Sequence, residues 1–275
     1  MRFISSENND LIKKVKSLKL KKYRELRKEF FVEGARIVKE ALMSSAEIKE
    51  IIISEKASEN EDIAETICMA IKLGCDIYTV SETVFKSISE TTNPQGILAT
   101  IKMADYDLEE MIIAKSIDVC KCDKYFVILD EIKDPGNMGT IIRTADAAGF
   151  NGVIVSKGCV DVYNPKVLRS TMGSIFHIPI NLSQDLSYAL KEIKMQNIRV
   201  YAAHTKGNLY YYEADMTQST AIVIGNEAFG ISDKTMESAD ELISIPITGR
   251  AESLNASVAA GILMYEPLRQ KKLYK

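Results

Sequence analysis

The residues of this chain that could do chemistry fall in three polar, glycine-bearing segments. The segments are DEIKDPGNMGTIIRTADAAGF (130–150), GNEAFGIS (225–232) and IPITGRAESLNASVAAG (245–261). Their candidate functional side chains are Asn137, Arg143, Glu227, Ser253 and Asn255. An asparagine amide both donates and accepts hydrogen bonds, whereas an arginine, with a pKa above about 12, is an implausible free base. These residue types favour binding and orienting a substrate.

Several common site motifs do not occur in the sequence. The segment from Gly225 to Gly230 has the GxxxxG spacing of a P-loop, but no Lys-Ser or Lys-Thr follows it. No GxGxxG follows the first predicted strand of the 124–275 region, so the fingerprint of a dinucleotide site is missing. The two histidines, His177 and His204, and the five cysteines show no zinc spacing. The sequence predicts no metal site and free thiols in a reducing cytoplasm.

From residue 125 onward, short apolar runs alternate with segments of helical periodicity. The predicted strands are 125–129, 153–155, 199–203, 221–224 and 242–245. The predicted helices run from the end of a 130–137 loop to residue 148, and over 165–172, 186–195 and 253–263. This alternation indicates an α/β fold with a mostly parallel sheet, where ligands bind beyond the carboxyl ends of the strands. One polar segment alone would favour a structural turn, in which glycine supplies a positive φ, but three in order favour a site.

The N-terminal third of the chain has an uneven distribution of charge. Nine cations lie between Lys13 and Lys28, opposed only by Glu25, whereas acids predominate over residues 40–90. The net charge of -3 therefore averages a basic region with an acidic one. A local basic patch is typical of nucleic-acid binding, but a lysine-rich helix is also typical of a solvated surface. We predict one basic helix over 9–20.

The length of 275 residues is comfortable for two domains. We predict a small α/β domain over 1–102, a linker over 103–123 and a larger α/β domain over 124–275. In the first domain, FFVEGARIVKEALM (30–43) shows helical spacing after a short apolar entry. No apolar run approaches the roughly 20 residues that span a bilayer, and the first ten residues are polar. A cytoplasmic protein without membrane contact is expected.

The three segments resemble the ordered motifs of a known enzyme family. NMGTIIRTADAAGFNGVIV, IVIGNEAFGIS and IPITGRAESLNASVAAGILMYE are similar in residue type, order and spacing to those of the SpoU/TrmH family, in the SPOUT superfamily of methyltransferases. The first hundred residues resemble the family's substrate-binding domain, which is similar to ribosomal protein L30e, through the basic helix, FFVEGARIVKEAL and NPQGILA.

This resemblance implies an RNA 2'-O-ribose methyltransferase that uses S-adenosyl-L-methionine and releases S-adenosyl-L-homocysteine. Ribosomal RNA of the large subunit is the expected substrate. The resemblance also implies a deep trefoil knot in the catalytic domain, and a homodimer with the cofactor site beside the subunit interface. No metal is expected to take part.

The resemblance also implies roles for five side chains. Arg143 corresponds to the arginine that activates the ribose hydroxyl, and we interpret it as a clamp on phosphate and ribose that lowers the pKa of that hydroxyl. Asn137 would fix Arg143 or the ribose, and Glu227 would orient Arg143 or a substrate hydroxyl. Ser253 and Asn255 would position substrate or cofactor, although Ser253 is also suited to cap the last helix. The structural alternatives are an ion-paired surface arginine, a turn asparagine and a carboxylate at a helix N-terminus.

The cofactor is expected to be held by backbone groups and apolar walls. By position, the matching residues are Thr205, Gly225, Ile245, Ile247 and Leu254. RNA phosphates are expected to contact the basic N-terminal segment, through Lys19, Lys21, Lys22 and Arg24.

Two positions depart from the family's motifs. Ala228 stands where glycine is usual, and it would be strained if that position required a positive φ. Ala256 replaces a more usual valine, which is a mild change. The rival functions are a catalytically silent RNA-binding module, disfavoured by the five retained site residues, and a transfer-RNA methylase, disfavoured by the L30e-like domain.

Overall fold

The computed structural model describes residues 2–113 and 123–273, which form two compact units. The first unit comprises residues up to 104 together with 163–176, and the second comprises 105–162 and the residues from 177 onward. The sequence-based boundaries assign 163–176 to the larger domain. In the structure this segment packs within the first unit, where the rings of Phe30 and Tyr163 lie 4.6 Å apart.

Both units contain β-strands and α-helices. The strands are β1 (Arg2–Ile4), β2 (Glu29–Glu33), β3 (Ile48–Ser54), β4 (Ile77–Val80), β5 (Ile97–Lys102), β6 (Tyr125–Leu129), β7 (Gly152–Ser156), β8 (Ile180–Ser183), β9 (Arg199–Ala203), β10 (Leu209–Tyr210), β11 (Thr220–Ile224) and β12 (Glu241–Ser244). The α-helices are α1 (Asp10–Ser17), α2 (Lys21–Arg27), α3 (Ala35–Met43), α4 (Glu61–Lys72), α5 (Glu82–Ile88), α6 (Leu108–Ile113), α7 (Pro135–Ala147), α8 (Pro165–Thr171), α9 (Leu186–Met195), α10 (Asp233–Ser238) and α11 (Ala256–Leu273). None of these helices is long and apolar enough to cross a membrane.

The first unit contains a five-stranded mixed sheet in the order β1-β4-β3-β5-β2. Strands β1, β4 and β3 are parallel, whereas β5 runs antiparallel to both β3 and β2. Ile12 and Val15 of α1, Leu18 directly after it and Phe85 of α5 lie in the core on this sheet. The expected α/β character of this region is confirmed, with antiparallel strands as well as parallel ones.

The basic N-terminal segment differs from its prediction, because it forms two helices rather than one. Helix α1 ends at Ser17, and α2 begins at Lys21 after a turn around the buried Leu18. The short apolar run at the start of segment 30–43 is likewise a separate element, strand β2. Its residues Phe30, Phe31 and Val32 are all buried, which is typical of a strand covered on both faces.

The second unit is built on a seven-stranded sheet in the order β10-β12-β9-β11-β6-β7-β8, with every neighbouring pair parallel. Every residue of β6, β7 and β11 is buried, so continuous apolar runs identify the centre of the sheet. The prediction of a mostly parallel sheet is confirmed. The short strands β8 and β10 at its two edges were not among the predicted strands.

The predicted linker, 103–123, lies partly outside the described residues. Its described part contains α6, whose Leu108, Met111 and Ile112 are buried in the core of the second unit. Because this helix buries apolar surface there, it belongs to the core rather than to a spacer.

Two helices of the second unit begin at positions other than those predicted. Helix α7 starts at Pro135, because the Asp134 carboxylate accepts a 2.8 Å hydrogen bond from the backbone N–H of Asn137 and proline suits the first helical position. Helix α11 starts at Ala256, capped by the Asn255 side chain, which accepts from the amides of Ser257 and Val258. The alternative that Ser253 caps this helix is therefore wrong.

Candidate active site

The second and third polar segments line one cleft of about 540 Å³ in the second unit, and the first segment is hydrogen-bonded to both of them. The segments follow the carboxyl ends of β6, β11 and β12, where parallel sheets commonly bind ligands. The cleft is lined by all five predicted cofactor residues and by three of the predicted catalytic ones: Thr205, Gly225, Ile245, Ile247, Leu254, Glu227, Ser253 and Asn255. The sequence-based grouping of these eight residues thus matches their positions in space.

A chain of side-chain hydrogen bonds joins the three segments. The Asn137 amide nitrogen donates to a Glu227 carboxylate oxygen at 2.9 Å, and the Asn137 amide oxygen accepts from the Asn255 amide at 2.9 Å. Asn137 is buried, so each of its two polar atoms needs a partner within the protein. The arrangement fixes the orientation of the Asn137 amide, because only its nitrogen can donate to a carboxylate.

Glu227 is held at the start of α7 as well as by Asn137. Its carboxylate accepts from the backbone amides of Lys133 at 3.2 Å and Asp134 at 3.1 Å. Burial alone would raise the pKa of Glu227, but the hydrogen bonds from Asn137 and from these amides outweigh it, so the pKa lies below its ordinary value. Glu227 is therefore a charged acceptor at neutral pH, and within one chain it orients Asn137 rather than Arg143.

Arg143 lies on α7 with an exposed side chain. Within residues 2–113 and 123–273 its guanidinium has no hydrogen-bond or ion-pair partner, so the alternative of an ion-paired surface arginine finds no support there. Ser253 is also exposed, and its hydroxyl makes no hydrogen bond to any described residue. Both polar groups can thus meet a substrate without first breaking a contact inside the described part of the chain.

Gly225, in the second segment, has a different structural reason from the expected one, which was contact of its backbone with the cofactor. A Cβ on Gly225 would lie 2.4 Å from the carbonyl carbon of Gly230 and 2.4 Å from the amide nitrogen of Ile231. The close approach is therefore between two parts of the same loop. Ala228 is not among the residues with positive φ, whereas Gly230 has φ of +72°, so alanine causes no backbone strain in this loop.

Two side chains that support the site were missed by sequence reasoning. Asp130 is 5% exposed, and its carboxylate accepts from the Ser232 amide at 3.1 Å and from the Ser232 hydroxyl at 3.0 Å. Asn226 donates to the Glu131 carbonyl at 2.8 Å and thereby joins the first and second segments. The sequence signal that could have identified them is their position, since each comes within two residues of the end of a buried strand.

The residues predicted to bind RNA have different surroundings in the first unit. Lys21 and Lys22 are exposed, whereas Lys19 donates to the Ser89 carbonyl at 2.7 Å and lies 3.4 Å from Glu90. Arg24 is 3% exposed, and its guanidinium donates to the carbonyls of Leu18 at 2.8 Å and Lys19 at 2.9 Å. Arg24 therefore holds the end of α1, and its prediction as a phosphate contact is corrected to a structural role.

Two family models match most of the chain. The SpoU rRNA Methylase family matches residues 124–265, and the MRM3-like substrate binding domain matches residues 9–99. The chain belongs to the SpoU rRNA methylase family. These matches confirm the resemblance seen in the three motifs and the enzyme class expected from it, an RNA 2'-O-ribose methyltransferase.

Full-length relatives support the same assignment. The chain is 35% identical to the 23S rRNA (guanosine(2553)-2'-O)-methyltransferase RlmP of Bacillus subtilis, over 96% of this chain and 98% of that protein. The AdoMet-bound rRNA methyltransferase of Sinorhizobium meliloti is similar with a TM-score of 0.84 and 29% identity, covering 98% of each chain. The SpoU methyltransferase AviRb of Streptomyces viridochromogenes, in complex with AdoMet, has a TM-score of 0.84 at 26% identity, covering 96% of this chain and 99% of that one.

Proposed function

We propose that this protein methylates the 2'-hydroxyl of a guanosine ribose in 23S ribosomal RNA, with S-adenosyl-L-methionine as the methyl donor. The observation that carries the proposal is the hydrogen-bonded series Glu227–Asn137–Asn255, which joins all three family motifs beside the cleft. The guanosine and the 23S molecule are proposed because the relative RlmP has that substrate and matches nearly the whole chain.

The cleft suits the proposed cofactor in size and chemistry. Its volume of about 540 Å³ falls in the usual range for small-molecule sites, roughly 300–1,000 Å³. Ile245, Ile247 and Leu254 would provide apolar walls for the adenine, and Thr205 and the backbone near Gly225 would provide polar contacts. When bound, the cofactor supplies a methyl group carried on a sulfonium.

The protein's own residues would bind and orient the RNA for this transfer. We assign Arg143 to the ribose and its adjacent phosphate, because its exposed guanidinium has no partner within the described residues and offers several donors in a fixed plane. A cation beside the hydroxyl favours its deprotonated form and so lowers its pKa. Glu227 and Asn255 would fix Asn137 and the start of α7, which carries Arg143.

Glu227 is a poor candidate for the final proton acceptor. Its carboxylate already accepts from Asn137 and two backbone amides, and its pKa is lowered rather than raised toward neutrality. We therefore assign it a positioning role. Ser253, exposed at the cleft, would contact substrate or cofactor through its hydroxyl.

Three properties stay predictions: the trefoil knot and the homodimer with cofactor sites beside its interface, which rest on the family resemblance, and the cytoplasmic location, which rests on the composition of the sequence. The dimer has a direct test in sedimentation equilibrium of the purified protein. A concentration-independent monomer would contradict it.

In the central experiment, purified protein and methyl-labelled S-adenosylmethionine are incubated separately with 23S ribosomal RNA and with transfer RNA, both from a strain lacking the gene. We expect label in 23S RNA alone, at one ribose that resists alkaline cleavage, and calorimetric binding of the cofactor. A suitable control is Lys191→Ala, which changes an exposed lysine on α9 that does not line the cleft. No cofactor binding would indicate a silent RNA-binding module, and label in transfer RNA alone would indicate the transfer-RNA enzyme.

A further inference from the structure

Phe229 is an aromatic residue at the cleft whose side chain the protein itself leaves in solvent. It lies in the loop between β11 and α10 and is 91% exposed, and it is one of the residues that line the cleft. Exposing an entire aromatic ring to water forgoes the stabilisation that burial would give. An aromatic ring at this position contributes little to the packing of the described chain and is accessible to a molecule that binds at the cleft.

The loop that presents Phe229 is held by hydrogen bonds. The Asn226 and Gly230 backbones exchange two of them, at 2.8 and 2.9 Å. The Asn226 side-chain oxygen accepts from the amides of Ala228 at 2.8 Å and Phe229 at 3.0 Å, while its nitrogen donates to Glu131. The ring is thus attached to a well-fixed backbone, which reduces the entropy lost when a partner packs against it.

The nature of that partner follows from the loop's other residues. Asn226, Glu227, Ala228 and Gly230 are polar or small, so the loop does not form the apolar patch that a protein interface usually buries at its centre. Glu227, two residues away, takes part in the hydrogen-bonded series that joins the three motifs. Under the proposed function, the target ribose has to lie near this series, and Phe229 is two residues away from it along the loop.

We propose that Phe229 stacks on a base of the RNA substrate, at or next to the nucleotide whose ribose is methylated. The inference rests on the proposed function and adds a binding residue to it. Single-stranded RNA is recognised largely by stacking of unpaired bases on aromatic side chains, because every base has a flat π-face. Such a contact strengthens RNA binding.

The first test compares substitutions that keep or remove the aromatic ring. We expect Phe229→Ala and Phe229→Leu to raise KM for 23S RNA on the order of 10- to 100-fold, the effect of losing one stacked base. Phe229→Tyr should stay within a few-fold of the unsubstituted protein. Because Phe229 also lines the cleft, cofactor affinity is measured by calorimetry for each variant, and the increase in KM for RNA should exceed any change in cofactor affinity. The sedimentation behaviour should be the same in all variants.

A second test uses the absence of tryptophan from the sequence. Phe229→Trp introduces the only tryptophan of the chain, whose emission should fall when unmethylated 23S RNA is added, because a stacked base quenches indole. The matched control is Tyr188→Trp on α9, half-exposed and not part of the cleft lining. Its emission should change little.

The outcomes separate this inference from the proposed function. If Phe229→Ala methylates 23S RNA with an unchanged KM, or if Phe229→Leu performs as well as Phe229→Tyr, stacking is refuted while the methyltransferase assignment stands. A variant that instead changes its oligomeric state shows that Phe229 belongs to a subunit interface, and this also overturns the inference. If the unsubstituted protein methylates no RNA, the proposed function itself fails.

Discussion

The motif segments of the second unit and the basic segment of the first unit use their polar residues in different ways. In the second unit, Asn137, Glu227 and Asn255 bind one another and leave Arg143 exposed. In the first unit, the nine cations between residues 13 and 28 divide among structural bonds, ion pairs and solvent. A residue's type at a motif position thus predicted its place in the site, whereas a count of positive charges did not predict which charges face outward.

The division within the basic segment is visible residue by residue. Lys14 is paired with Glu29 at 2.7 Å and with Glu50 at 3.0 Å, and Lys16 is paired with Glu7 at 2.6 Å. Four cations are exposed and have no ion-pair partner among the described residues: Lys13, Lys22, Arg27 and Lys28. These four are the better candidates for phosphate contact, since a paired lysine has to leave its carboxylate first.

The largest expected effect concerns Arg143. Arg143→Ala should lower kcat by at least about 10³-fold, because the substitution removes the charge proposed to stabilise the developing alkoxide. Cofactor affinity should stay within about threefold, since Arg143 does not line the cleft. Calorimetry and single-turnover methylation measure the two quantities. A loss of cofactor affinity equal to the loss of rate would refute the assignment.

The second prediction separates a structural cation from a solvated one in the same helix. Arg24→Gln should lower the free energy of unfolding by roughly 1–3 kcal/mol, because the buried carbonyls of Leu18 and Lys19 lose their donor. Lys22→Gln, which changes an exposed neighbour, should have almost no effect on stability. Urea unfolding of both variants measures the difference. Equal stabilities would mean that the Arg24 contacts contribute nothing.

A third prediction tests whether the exposed cations bind RNA. Replacing Lys13, Lys22, Arg27 and Lys28 with glutamine should weaken RNA binding and flatten its salt dependence, by about 0.7 in log–log slope per lost phosphate contact on single strands. The choice of nucleotide should not change, because phosphate contacts carry little sequence information. Filter binding over a salt series measures the slope. An unchanged slope in the folded variant would leave RNA binding to other surfaces.

The sequence predicted those parts of the structure that follow from local pattern. Continuous apolar runs identified β6 and β11, and the helix predicted over 165–172 begins at the same residue as α8. Tertiary interactions decide the rest. The burial of Arg24 depends on carbonyls at the end of α1, and the capping role of Asn255 was hidden because Ser253 is an equally good capping residue. The hydrogen bonds of Asn137 join residues about 90 and 118 positions apart, a relation that no local pattern contains.

The smallest expected effect concerns the charge of Glu227. Its pKa in the folded protein lies below the ordinary value of 4.5, so the folded state binds fewer protons than the unfolded state between these two values. The stability due to this carboxylate is therefore fully present above about pH 5 and decreases as the pH falls through the folded-state pKa. Glu227→Gln should be less stable than the unsubstituted protein at pH 7, and the difference should shrink below pH 4.5.

Urea unfolding between pH 7 and pH 3 measures this dependence, with Glu237→Gln, an exposed position on α10, as the matched control. The control should show no pH-dependent difference from the unsubstituted protein. If the difference in the free energy of unfolding between Glu227→Gln and the unsubstituted protein keeps the same size at every pH, the hydrogen bonds from Lys133, Asp134 and Asn137 do not depend on the negative charge. The motif segments would then be joined by neutral hydrogen bonding alone, and the contrast with the ion-paired lysines of the first unit would be sharper.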